Sequence, residues 1–186
     1  MHRKIVFTLL INLFSLMVYA QDKAGKYFDL GIEVQQYPTG FLLGLRSEIG
    51  LAPHHALDLR VGYNLLDHQS FGVHENEEGG GFGFTIGYRY YFKTENLGWF
   101  LGVRSDLWFN KVEWQDNIDT PMAVNGTSDI IVFQPTAIAG YRFLINEKFV
   151  LTPTLAIGGE INIKTTGAEV GQGAIFLWGI NVAYLF

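Results

Sequence analysis

The closing stretch of the chain, GAIFLWGINVAYLF (residues 173–186), alternates with a period of two. Ala174, Phe176, Trp178, Ile180, Val182, Tyr184 and Phe186 fall on one face, and Gly173, Ile175, Leu177, Gly179, Asn181, Ala183 and Leu185 on the other. Successive side chains of a strand point to opposite sides, so this is the signature of a β-strand whose faces meet different surroundings. The first face is wholly apolar and mostly bulky. Residues 82–93 repeat the pattern: Phe82, Phe84, Ile86, Tyr88, Tyr90 and Phe92 alternate with Gly83, Thr85, Gly87, Arg89, Tyr91 and Lys93.

Six further alternating segments lie at about 27–36, 41–51, 56–67, 99–112, 129–145 and 149–164, which gives eight strands in all. Their connectors differ by end. Residues 52–55, 94–98 and 146–148 read as short turns with Pro, Asn or Gly chemistry, whereas 68–80, 113–128 and 165–172 read as longer polar loops. The first connector, 37–40, is the one short turn on the long-loop side. No helical period of comparable length competes with this pattern.

The composition agrees. The chain has 186 residues, 48% of them hydrophobic, 15% aromatic and 17% charged, with 22 Gly and no Cys. So much apolar surface excludes a disordered acidic chain. The absence of Cys excludes disulfide staples, thiolate zinc sites and cysteine nucleophiles. Residues 1–20 read as a signal peptide, with Arg3 and Lys4, an apolar run from Ile5 to Val18 and a Val18-Tyr19-Ala20 cleavage site. The run is short of the ~20 residues that span a bilayer as a helix. The expected domains are thus the signal peptide, 1–20, and a barrel, 21–186, beginning at Gln21. Removing two positive charges takes the formal charge from −5 to −7, which speaks against a nucleic-acid partner. No later segment offers 18 consecutive apolar residues, so a membrane role falls to the strands.

Two architectures fit eight antiparallel strands: an up-and-down transmembrane β-barrel, and a soluble barrel of the lipocalin or streptavidin kind. They differ in polarity. A soluble barrel turns its bulky apolar face inward, and a barrel in lipid turns it outward. The small residues share the polar face (Gly31, Gly44, Gly62, Gly83, Gly140), where a narrow lumen needs them, and aromatics such as Tyr63, Tyr88, Trp99, Phe109, Trp178 and Tyr184 crowd the apolar one. This favours the membrane barrel. Its interior would hold Asp29, Glu33, Arg46, Glu48, Asp58, Arg60, Arg89, Arg104, Asp106, Arg142, Glu160 and Lys164. Hairpin register would bring Glu48 to Arg60 and Arg89 to Asp106. Acids balance bases in this set, and five of its six bases are Arg, the side chain suited to multi-donor pairing in a confined space. A salt-bridged plug fits better than a selective pore lined by one sign of charge.

The export signal read at residues 1–20, the eight strands and the terminal Tyr184-Leu185-Phe186 together resemble the small OmpA/OmpX-type, porin-like outer-membrane proteins of Gram-negative bacteria. The resemblance implies an outer-membrane location, surrounding lipids and lipopolysaccharide, and a monomeric structural or surface-interaction protein with at most a narrow pore. It also implies that Tyr184 and Phe186 form the tag read by the barrel-assembly machinery during biogenesis.

The loops carry the few candidates for chemistry. His68 and Ser70, with Glu75, Glu77 and Glu78 following, provide a base, a hydroxyl and carboxylates. The pair is similar to the His-x-Ser of the lipid A deacylases, themselves eight-stranded barrels. Phe71 stands where those enzymes have Asn, however, and their pair lies near the C-terminal strands. The run His74-Glu75-Asn76-Glu77-Glu78 lacks the spaced ligands of a calcium loop and reads as a solvated acidic tip. Trp108 and Trp114 read as an aromatic girdle continuing into a loop. No catalytic residue, metal or cofactor is therefore expected.

Overall fold

The computed structural model describes residues 26–69 and 72–186; the expected signal peptide and cleavage site, and Ser70 and Phe71, lie outside them. Eight strands follow in order: β1 (Phe28–Tyr37), β2 (Gly40–Ala52), β3 (His55–Gln69), β4 (Asn76–Tyr91), β5 (Gly98–Asp116), β6 (Val124–Ile145), β7 (Phe149–Thr166) and β8 (Gly173–Leu185). Each pairs antiparallel with the next, and β8 returns to β1, closing the barrel. Closure satisfies every strand edge. At the seam Asp29 stands opposite Leu185 and Gln36 opposite Trp178, while the Phe186 amide donates to the Phe28 carbonyl at 2.9 Å.

The turns at the end that carries both termini have specific geometry. Asn146 and Glu147 both take positive φ (49° and 59°) at the centre of a turn that the Lys148 amide closes on the Ile145 carbonyl at 3.3 Å, within the three residues between paired Ile145 and Phe149. His54 follows Pro53 at φ 71°, and its ring is fixed by Nδ1 against the Tyr91 carbonyl at 2.8 Å.

Alternation sorts the side chains as a barrel in lipid requires. Ile32, Leu43, Val61, Phe82, Leu101, Ile157 and Trp178 are exposed on the outer wall, whereas Asp29, Arg46, Glu48, Arg60 and Asp106 are buried inside. This is the reverse of a soluble barrel. Glycine makes the inner face workable. Gly83 lies directly across from Trp108, Gly140 from Phe100 and Gly126 from Trp114, and in each pair a ring occupies the space a Cβ would need.

Several expectations are corrected. β4 begins at Asn76, β5 runs to Asp116 and β6 starts at Val124, so the segments read as loops 68–80 and 113–128 are largely paired strand. Toward the long-loop end the outward side chains turn polar, as Lys111, Glu113 and Gln115 do against Val112 and Trp114, so the apolar-outward alternation of the lower strands is lost. Trp108 does not join an outer girdle; it is fully buried in the lumen. Lys164 is exposed rather than interior. A bulge in the β6–β7 ladder explains it: Val132 pairs with Asn162, but Ile131 pairs with Lys164. The one extra residue exchanges the faces from there onward.

A Cβ at Gly83 would lie 2.2 Å from a Trp108 ring carbon and 2.4 Å from the Leu107 carbonyl oxygen, whereas one at Gly159 meets nothing nearer than 3.8 Å. Gly83→Ala is expected to lower unfolding stability in detergent by about 1–3 kcal/mol. Gly159→Ala should leave it nearly unchanged, with urea titration as the measurement.

Candidate functional site

The lumen is filled in layers. Nearest the termini, three arginines meet three carboxylates. Arg46 reaches Asp58 through Nε at 2.5 Å, holds Glu48, and donates to Asn181 at 3.0 Å. Arg89 bridges Glu48 at 3.0 Å and Asp58 at 3.1 Å. Arg142 binds Asp29 at 2.7 Å and the Asn96 carbonyl at 2.9 Å. The Tyr91 hydroxyl donates to Glu48 at 2.7 Å, and the Tyr27 hydroxyl donates to the same oxygen. Arg89 also lies over Phe100 and Arg142 over Tyr27, at 4.5 and 4.2 Å from the ring centres, adding cation–π attraction.

A second layer pairs two arginines with two carboxylates. Arg60 donates to Glu33 at 3.0 Å, Gln35 at 2.8 Å, Asp106 at 2.6 Å and Thr85 at 3.0 Å. Arg104 adds Asp106 at 3.1 Å and Gln35 at 3.0 Å. Trp108 packs beside this layer, its indole donating to Gln134 at 3.3 Å. Each layer is neutral by itself. Buried charge is tolerated when paired and hydrogen-bonded; every arginine and carboxylate here has an oppositely charged partner, while Arg89 Nε, Arg104 Nη1 and Arg142 Nε make no hydrogen bond.

Ten of the twelve side chains expected in the lumen are thus buried there, with Glu160 half-buried near the mouth and Lys164 outside. The expected pairings change. Glu48 stands opposite Asp58, and Arg46 opposite Arg60, so like charges face across β2–β3 and the ion pairs run diagonally or across the lumen. Arg89 joins Glu48 and Asp58 rather than Asp106. Hairpin register ranks near neighbours along the wall, but long arginines in a narrow tube reach partners across it.

Above the charged layers an apolar layer of Leu42, Leu66, Val112, Ile130, Val132 and Leu177 is topped by Val170. Val170 belongs to the last loop, 167–172, which folds into the mouth. His74 clamps it. Its ring lies between the Asp116 carboxylate (Nδ1, 2.8 Å) and the Glu169 carbonyl (Nε2, 2.9 Å), stacked 4.2 Å from Trp114. Ser128 donates to the Ala168 carbonyl at 2.8 Å and Asn162 to that of Val170 at 3.0 Å. Beneath the loop remains a cavity of about 220 Å³ lined by Tyr37, His68, Glu77 and Glu160.

Glu77 closes the same corner, accepting from the Val73 and His74 amides at 3.2 Å each and lying 3.3 Å from His68 Nε2. Burial would raise its pKa, but the bonds from His68 and the His74 amide outweigh burial and hold it below the ordinary 4.5. The hydrogen bond from His74 likewise lowers Asp116. The run containing these residues is therefore a structural latch rather than a solvated tip. The parity of Glu77 with Gly79, Gly81 and Gly83 along β4 was the available signal. Among the described residues no cluster suited to a metal ion is present.

No family model matches the sequence, and no curated protein does. Solved structures do match. The N-terminal β-barrel domain of Pseudomonas aeruginosa OprF is similar at a TM-score of 0.52 and 17% identity, over 88% of this chain and 100% of that one. Neisserial surface protein A gives 0.47 and 8%, covering 87% and 96%. Ail, the attachment invasion locus protein of Yersinia pestis, solved with the heparin analogue sucrose octasulfate, gives 0.46 and 9%, covering 87% and 97%. The chain therefore has the fold of the small eight-stranded outer-membrane β-barrels.

Two outcomes test the site. Arg60→Met strands Glu33 and Asp106 without their cation and is expected to cost about 3–5 kcal/mol, with partial recovery in Arg60→Lys, read by urea unfolding in micelles. Glu77 and Asp116 have depressed folded pKa values, so their stabilisation of the latch is present at neutral pH and is lost as pH falls through those values, below the ordinary carboxylate range. Limited proteolysis should cut residues 167–172 in acid and spare them at pH 7, and Glu77→Gln should be cut at pH 7.

Proposed function

We propose that the chain is an exported, integral outer-membrane protein, monomeric and non-enzymatic, which serves a structural or surface-interaction role with at most a very narrow pore. The observation that carries this reading is the pairing of an outer wall of lipid-compatible side chains with a lumen closed by neutral ionic layers, an apolar layer and an inserted loop. Such a wall needs lipid around it, and such a lumen leaves no continuous water column. Balanced charge in each layer also gives an ion of either sign no preferred path.

The surroundings that follow are outer-membrane lipids and lipopolysaccharide, with the barrel-assembly machinery acting on the C-terminal strand during biogenesis. Tyr184 and Phe186 support that assignment by their place at the seam. Their rings lie 4.9 Å apart, and Phe186 also meets Phe28 at 5.7 Å. His68 is engaged with Glu77 and is read as part of the latch, not as a general base.

Expressed with its signal peptide, the protein should appear in the outer-membrane fraction and migrate differently on gels with and without boiling. In planar bilayers it should give no sustained conductance of porin size. Recovery as a detergent-free soluble protein would overturn the reading, and a steady large conductance would overturn the closed lumen.

A further inference from the structure

The described arginines and lysines divide completely: Arg46, Arg60, Arg89, Arg104 and Arg142 are buried in the lumen, and Lys26, Lys93, Lys111, Lys148 and Lys164 are exposed. Lys26, Lys93 and Lys148 lie at the end with the termini and short turns. Among the described residues Lys111 and Lys164 are thus the only exposed Lys or Arg toward the opposite, long-loop end, and they are neighbours. Lys111 pairs with Asp129, which pairs with Thr166, and Lys164 stands one row below, beside Ile131. The β6–β7 bulge is what turns Lys164 to this wall.

Position and shape give the pair its meaning. Lys164 ends a row of outward side chains, Tyr63, Phe82, Phe109 and Ile131, in register across β3–β6. Lys111 and Asp129 lie one row higher, in a row that is apolar at Phe41 and Leu65 and polar from Lys111 to Thr166. Gly80, also in that row, leaves a recess of about 380 Å³ bordered by Lys111, Asp129, Lys164 and Thr166, with Phe109 at its foot. Phe109 also lines a second, larger groove of about 640 Å³ on the lipid-facing wall, among Leu43, Leu45, Val61, Phe82 and Phe84. That groove runs over Gly44, Gly62 and Gly83, which sit in register across β2–β4. A recess that holds two lysines and one carboxylate, below an outward row of exposed carboxylates (Asp67, Glu78 and Glu113), thus shares Phe109 as a common wall with the apolar groove.

We propose that this wall seats one phosphorylated glycolipid of the outer leaflet, an inference that rests on the outer-membrane reading above. Lys111 and Lys164 hold a phosphate, Asp129 and Thr166 take sugar hydroxyls between them, and an acyl chain lies in the groove over the glycines. Asp129 favours a glycolipid because a sugar headgroup offers several hydroxyls for its carboxylate to accept from, where phosphatidylglycerol offers two. Juxtamembrane lysines attract anionic headgroups strongly enough to select them.

The test uses the barrel folded in detergent, incubated with bisphosphorylated lipid A, its dephosphorylated form, or phosphatidylglycerol, with bound lipid read by native mass spectrometry. Wild type should retain bisphosphorylated lipid A. Retention should fall roughly 10–30-fold in the Lys111→Gln/Lys164→Gln variant or with the dephosphorylated lipid, and phosphatidylglycerol should bind no better than that variant binds lipid A. Equal retention by variant and wild type, or equal retention of phosphatidylglycerol, would overturn the proposal. Both lysines are exposed, so the variant should keep its unboiled gel mobility; if it does not, the single variants carry the same comparison. A wild-type chain that enters neither micelles nor bilayers contradicts the membrane reading before any lipid is added.

Discussion

The whole structure turns on the narrowness of an eight-stranded ring. Its interior is only wide enough for side chains, so whatever the strands turn inward must fill the tube and leave no unpaired charge. The chain meets both demands with two neutral layers, Asp29, Glu48 and Asp58 with Arg46, Arg89 and Arg142, then Glu33 and Asp106 with Arg60 and Arg104. Lysine is absent from these networks. A planar guanidinium satisfies several fixed acceptors at once, as Arg60 does with four partners, where an ammonium offers a point charge on a flexible stem.

The same constraint explains the glycines. Filling a narrow tube with Trp108, Phe100 and arginines leaves no room opposite them, and Gly83 and Gly140 supply it. On the outer wall the backbone of the same row, Gly44, Gly62 and Gly83, floors a groove between the outward side chains of the rows on either side.

Much of this was legible in the sequence, because a period of two with lipid on one side and a packed lumen on the other writes itself strongly. Residues 82–91 and 173–185 show it best, and the short turns at 52–55 and 146–148 carry their own chemistry. The parity of Arg104 and Asp106 also placed Trp108 inside, a signal that its aromatic character masked. Three things were not legible. The β6–β7 bulge, which moves Lys164 to the outer wall, has no marker in Ile161-Asn162-Ile163. In the upper ladders of β4, β5 and β6 the outward side chains turn polar, as Lys111, Glu113 and Gln115 do against Val112 and Trp114, so the apolar-outward alternation of the lower strands is lost. The lumen pairings depend on which arginines span the tube, and neighbour rules along one hairpin do not reach across it.

The account stands or falls on lipid contacting the outer wall. Because the chain has no native cysteine, single cysteines at Val61, Ile86, Leu101 and Ile157 can carry a nitroxide label in the refolded, bilayer-reconstituted protein. Collision with dissolved oxygen should dominate at all four positions and collision with a water-soluble nickel chelate should be nearly absent, with the reverse at Lys111. Strong collision with the nickel chelate at the four wall positions would contradict the account.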